Sequence, residues 1–272
     1  MLSSRRVMNR TVSHLLVLCL GVLLALGVVG VARLADEPCG PLSRTACVRV
    51  LFLGNSYTYV NDLPSTFARL AGSAGRPVQV SMVANGGETL AQHAAATDSQ
   101  SAIVSQRWTY VVLQEQSDTP ATWAGRVSMY PAVRTLDGQI ESAGATPLLF
   151  MAWAHRDGMP ESGLADYAAM QLQIDNAYLA IAREQQVPVA PVGYTWLAIR
   201  RDHPEISLWG DDGSHPNGAG TYLAACVFYA AIFRQSPSGL SYHGGIDDGQ
   251  ARILQDEAAR QVLDHASDWG LR

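Results

Sequence analysis

Asp212, Gly213, Ser214 and His215 form a short run that ends against Pro216 and Asn217. Far upstream, an apolar run leads into Gly54-Asn55-Ser56-Tyr57-Thr58. A carboxylate three residues before a histidine can, in a tight turn, reach one ring nitrogen and leave the other facing outward. This fixes the tautomer and raises the basicity of the outer nitrogen. A serine just past a strand, at the start of a helix, exposes its hydroxyl above the sheet edge, and its own N–H points into the same space. Ser56, His215 and Asp212 can therefore supply the nucleophile, base and orienting carboxylate of an acyl-transfer triad. Each also has a plainer role. Ser56 reads equally as a turn or helix N-cap, and His215 as a surface histidine before a helix that Pro216 starts and Asn217 caps. Asp211, Asp212 and His215 as metal ligands are a further alternative, but no second His/Asp cluster has ligand spacing. The glycine patterns of phosphate-binding turns are missing.

The elements that must position these residues alternate along the chain. Val48–Leu53, Val78–Ala84, Tyr110–Leu113, Pro147–Trp153 and Val187–Val192 read as strands. Between and after them, 64–74, 90–97, 129–143, 164–185, 217–233 and 247–269 read as helices. Strands that are apolar throughout, rather than alternating, are buried on both faces, which is the signature of a parallel sheet covered by helices. The expected fold is a three-layer α/β domain of flavodoxin-like type with a central parallel sheet. In such sheets ligands bind beyond the carboxyl ends of the strands. Three polar clusters sit at such ends and would face one crevice: Gly54-Asn55-Ser56, Asn85-Gly86-Gly87-Glu88-Thr89 and Gln114-Glu115-Gln116-Ser117. Trp153, Trp196 and Trp209 could line a sugar platform or pack in the core and rim. His93, His155, His203, His243 and His265 are scattered, and read mostly as surface or capping groups.

With 272 residues, 48% hydrophobic and 16% charged, the chain can build one large core. A net charge of -5 without Lys/Arg runs beyond the N-terminus argues against nucleic acid as a partner. Arg5, Arg6 and Arg10 precede an uncharged apolar stretch from Leu15 to Ala32, and Asp36, Glu37 and Pro38 end it. The stretch is just long enough to span a bilayer, with the following chain outside. Residues 1–35 are therefore expected to be a signal-anchor, or a signal peptide cleaved near Gly30-Val31-Ala32. Residues 36–46 would be a linker and 47–272 the folded domain, extracytoplasmic and either membrane-anchored or secreted. Cys39 and Cys47 flank a short loop in a compartment where disulfides persist, so a bridge between them is expected.

On these residues the chain resembles the SGNH (GDSL-like) hydrolases, from Val48 to about Phe233. Leu51-Phe52-Leu53-Gly54-Asn55-Ser56 is similar to the family's first block, with Asn55 where Asp is usual. Gly87 fits the oxyanion glycine of the second block, and Asp212-x-x-His215-Pro216 fits the last. The third block usually supplies an asparagine amide, which this chain lacks, and Gln116 or Gln114 can stand in for it. The resemblance implies an esterase of the SGNH type that needs no cofactor or metal. It implies Ser56, His215 and Asp212 as catalytic residues, Ser56, Gly87 and Gln116 as the oxyanion hole, and Gln114 and Glu115 as substrate contacts. The implied substrate is an O-acyl ester, acetyl above all, on a small molecule or a glycan. Two alternatives stay open: a non-catalytic cell-surface glycan-binding protein that keeps the fold, and an acyltransferase with the same triad.

Overall fold

The computed structural model describes residue 39 and residues 47–271. The expected anchor, its cleavage point and most of the linker lie outside the described residues. Among those described, no helix is long and apolar enough to cross a membrane. Cys39 and Cys47 form a disulfide with Cα atoms 5.2 Å apart.

Five parallel strands make the sheet: β1 (Val48–Gly54), β2 (Val78–Ala84), β3 (Tyr110–Leu113), β4 (Thr146–Phe150) and β5 (Val189–Ala190). Their order is β2-β1-β3-β4-β5. β1 lies inside, with Leu51 paired to Ser81 on one side and Val111 on the other. Val50, Leu51, Phe52 and Leu53 are all fully buried, as a strand covered on both faces requires.

The helices are α1 (Ser56–Tyr59), α2 (Leu63–Ser73), α3 (Leu90–Ala95), α4 (Thr97–Val104), α5 (Trp123–Ser142), α6 (Tyr167–Gln185), α7 (Val192–Asp202), α8 (Gly218–Phe233) and α9 (Asp248–Leu263). They pack in two groups that flank the sheet. In one, α2 packs on α8 and α8 on α9; in the other, α3 packs on α4 and α5, and α5 on α6. α8 is apolar nearly all round, because the sheet lies on one side of it and helices on others. Asn217 caps α8 by accepting from Gly220 N at 3.0 Å, as its position before the helix suggests.

Several boundaries depart from the sequence expectation, among them the last helix, which ends at Leu263 rather than 269. α5 begins at Trp123 rather than Met129, since Gly125 and Pro131 interrupt the apolar period without ending the helix. β4 stops at Phe150, and β5 is only two residues long. The chain turns into α7 directly after Pro191, so the apolar run at 187–192 is only partly a strand. Trp153, Trp196 and Trp209 are all buried, which assigns them to the core and removes the sugar-platform alternative.

Candidate active site

β1 delivers the chain to its carboxyl end at Gly54, and Asn55 starts α1 with its side chain accepting from Tyr57 N at 3.1 Å. Ser56 is the first residue of that one-turn helix. Its hydroxyl lies 2.9 Å from His215 Nε2, and His215 Nδ1 lies 2.5 Å from Asp212 Oδ2. With a proton on Nδ1 facing the carboxylate, Nε2 is free to accept from the serine hydroxyl. The other oxygen of Asp212 accepts the Ser214 and His215 N–H groups, each at 2.9 Å. The hydrogen bond to His215, then that to Ser214 N, hold the Asp212 carboxyl down at about 2, so it stays ionised. The sequence turn and the distant serine thus meet in one hydrogen-bonded line.

The turn that carries Asp212 and His215 is braced from below. Gly213 takes a φ of +69°, the left-handed region that a tight turn needs and glycine adopts freely. Gly210 N donates to His215 O at 2.8 Å, and Arg156 N to Gly213 O at 2.7 Å. Trp153 Nε1 donates to Ser214 O, while the Tyr57 hydroxyl pairs with Ser214 Oγ at 2.8 Å. Tyr57 stacks on Trp153 at 4.5 Å between centroids, Trp153 stacks on Trp196 at 4.1 Å, and the Tyr57 ring meets the His215 imidazole edge-on. A stacked aromatic pile therefore braces the imidazole beside the Ser56 hydroxyl.

Two backbone N–H groups after these strand ends are left without an acceptor. Among the described residues, the N–H groups of Ser56 and Gly87 make no hydrogen bond. Gly87 has a φ of +69°, which turns the chain between β2 and α3. Asn55 Nδ2 donates to Glu88 O at 2.9 Å, which draws this turn against the nucleophile turn. Asn55 is therefore a tie between the first two polar clusters.

The third cluster corrects the expected substrate contacts. Gln114 is 0% exposed and Glu115 1%, so both side chains face the interior rather than an open crevice. The buried run of β3 simply continues two residues past the strand. Gln114 Oε1 accepts from Asn55 N at 2.9 Å and from Thr58 Oγ1 at 3.0 Å, holding the nucleophile turn. A Cβ on Gly54 would lie 2.6 Å from that oxygen and 2.4 Å from Thr58 Oγ1, so only glycine allows this approach. Gln116 keeps its amide within its own turn. Its oxygen accepts from Asp118 N and Thr119 N, and its nitrogen donates to Ser117 Oγ and Asp118 Oδ2.

His93 also departs from expectation. It is fully buried, bonded through Nε2 to Gly54 O at 2.9 Å and through Nδ1 to Ser99 Oγ at 2.8 Å. Its place three residues after the buried Leu90, on the inner face of α3, was the available signal. His155 stands near Ser117 and Asp118, whereas His203, His243 and His265 pair with surface carboxylates. No three His, Cys, Asp or Glu side chains cluster as metal ligands among the described residues.

No protein-family model matches the chain, and no curated protein matches it in sequence. Solved structures do. A protein from Slackia heliotrinireducens classed as an SGNH hydrolase is 31% identical, with a TM-score of 0.56, over 67% of this chain and 97% of its own. A DUF4886 family protein from Bacteroides uniformis is 19% identical, with a TM-score of 0.66, over 80% of this chain and 95% of its own. The acetyl xylan esterase AlAXEase is 15% identical, with a TM-score of 0.57, over 68% and 100% respectively. At such low identity the last two report the shared fold alone.

Proposed function

This chain belongs to the SGNH hydrolase superfamily, and from that membership we propose that it is a serine esterase that cleaves O-acyl, above all O-acetyl, esters on carbohydrate outside the cytoplasm. The observation that carries this reading is the continuous line from Ser56 Oγ through His215 to Asp212, with contacts of 2.9 and 2.5 Å. Ser56 Oγ attacks the ester carbonyl carbon as its proton passes to His215 Nε2. The negative charge that forms on the carbonyl oxygen is met by the Ser56 and Gly87 N–H groups. His215 then returns the proton to the departing alcohol, which leaves an acyl-serine. Water repeats the sequence through the same imidazole and releases the acid. Throughout, Asp212 holds the ring and offsets the imidazolium charge.

The acetyl and carbohydrate parts of the reading draw on the likeness to an acetyl xylan esterase. The extracytoplasmic part draws on the basic and apolar N-terminus and on the Cys39–Cys47 disulfide, since such bonds persist in oxidising compartments. The test is hydrolysis of a small activated acetyl ester and of acetylated xylan by the full chain and by Ser56→Ala. Turnover by the wild type, abolished in the variant at equal thermal stability, supports the reading; equal rates overturn it. Adding a glycan acceptor and analysing products separates hydrolysis from acyl transfer. Recovery of the intact chain in the cytoplasmic fraction alone would contradict the external placement.

A further inference from the structure

Beyond β3 the chain enters the interior with a carboxylate. A buried carboxylate is costly unless its hydrogen bonds are made, so where those bonds go identifies its use. Glu115 Oε1 accepts two backbone donors, Leu90 N at 3.1 Å and Gln116 N at 2.7 Å. Its own N–H donates to the Tyr178 hydroxyl at 3.2 Å, anchoring it to α6. Leu90 is the first residue of α3, three residues after Gly87. The same oxygen therefore grips the far side of the Gly87 turn and the first residue of the 116–119 turn. Glu115 Oε2 is buried with no partner among the described residues, so a single oxygen carries both contacts.

Gln114, one residue earlier, grips the nucleophile turn through Asn55 N and Thr58 Oγ1. Two consecutive side chains thus reach in two directions from the end of β3. One holds the residues either side of Ser56; the other holds the helix start three residues after Gly87. We propose that Glu115 is a positioning residue of the oxyanion hole, clamping the Gly87 turn to the end of β3 so that both oxyanion donors are held in one frame. This role rests on the esterase reading, because it matters to rate only if an oxyanion forms there. The effect belongs in kcat, since donors matched to the transition state stabilise it more than the bound ester.

The test uses the full chain with Glu115→Asp and Glu115→Gln. Aspartate keeps the charge but withdraws the oxygen from both N–H groups. Glutamine keeps an acceptor of the same reach. Glu115→Asp is expected to lose about 10- to 100-fold in kcat, as donor misplacement of this size does, with KM within about two-fold. Glu115→Gln is expected to recover most of that loss. Amide hydrogen exchange supplies a readout independent of turnover: Leu90 and Gln116 should exchange at least about ten-fold faster in Glu115→Asp and near the wild-type rate in Glu115→Gln. Wild-type kcat in Glu115→Asp, or unchanged protection at Leu90, overturns the proposal. So does a rise in exchange spread evenly over the sheet, which marks a general loss of stability. If the wild type itself turns over no ester, the esterase reading fails, and exchange at Leu90 still decides whether the clamp exists.

Discussion

Asn55 donates its backbone N–H to the side-chain oxygen of Gln114 at 2.9 Å, and through that bond the end of β3 holds the turn that carries Ser56. The contact joins residues 59 positions apart and is buried on all sides. It needs Gly54, whose missing side chain lets the carboxamide lie against the backbone. Nucleophile placement therefore depends on a neighbouring strand as much as on β1 itself.

Gln114→Ala follows from that contact. Asn55 N and Thr58 Oγ1 would lose their acceptor in a buried place, at a cost of about 1–3 kcal/mol for each group left unpaired. A lower midpoint in urea unfolding, with kcat falling more than KM rises, is the expected outcome. An unchanged midpoint would show that the turn holds itself.

Gln116→Ala separates two versions of the oxyanion hole. If the amide stays in its own turn, where Asp118 N and Thr119 N bind it, its loss should change kcat by less than about five-fold, far below the 10²–10³-fold expected of a lost oxyanion donor. Steady-state kinetics on an activated acetyl ester decides between them.

Glu115 should leave a mark on the pH dependence of stability. Burial pushes its carboxyl up to about 7, against an unfolded value near 4.3, and Tyr178 is the titratable group that faces it from α6. The native state then holds a proton that the unfolded chain has released between those values. Its contribution is full below about pH 4 and is lost as pH rises through 7, on the order of 3 kcal/mol in all. Asp175 is raised in the same way, to about 6, so the comparison must be with Glu115→Gln. The wild type should lose stability relative to Glu115→Gln from about pH 4 to 7 and run parallel to it above pH 8. Parallel curves throughout would mean that the carboxyl titrates normally.

Much of the fold was legible because its signals are local. Val50–Leu53 and Tyr110–Leu113 are apolar at every position, which only a doubly covered strand tolerates. Asp212 and His215 were legible for a similar reason, since three residues in a tight turn fix their relation before any tertiary contact forms. What could not be read depends on distant partners. α7 shares only its first residue, Val192, with the run expected as a strand, and its start rests on Gly193, where a side chain would strike Ala152 O on the neighbouring loop. His93, Gln114 and Glu115 look like solvent-facing polar residues until the packing of α3 and β3 shows that they point inward. The residues of the Ser56–His215–Asp212 line declare themselves by type and spacing; those that hold them in place declare themselves only by burial.

The central claim is that Ser56 is the nucleophile, and covalent capture tests it most directly. The full chain would be treated with an alkyl fluorophosphonate, and the site of modification located by peptide mass spectrometry. The expected result is a single adduct on Ser56, absent from Ser56→Ala and strongly slowed in His215→Ala, which lacks the base 2.9 Å away. An adduct on Ser117 or Ser214 instead, or no adduct on a folded wild-type chain, would contradict it.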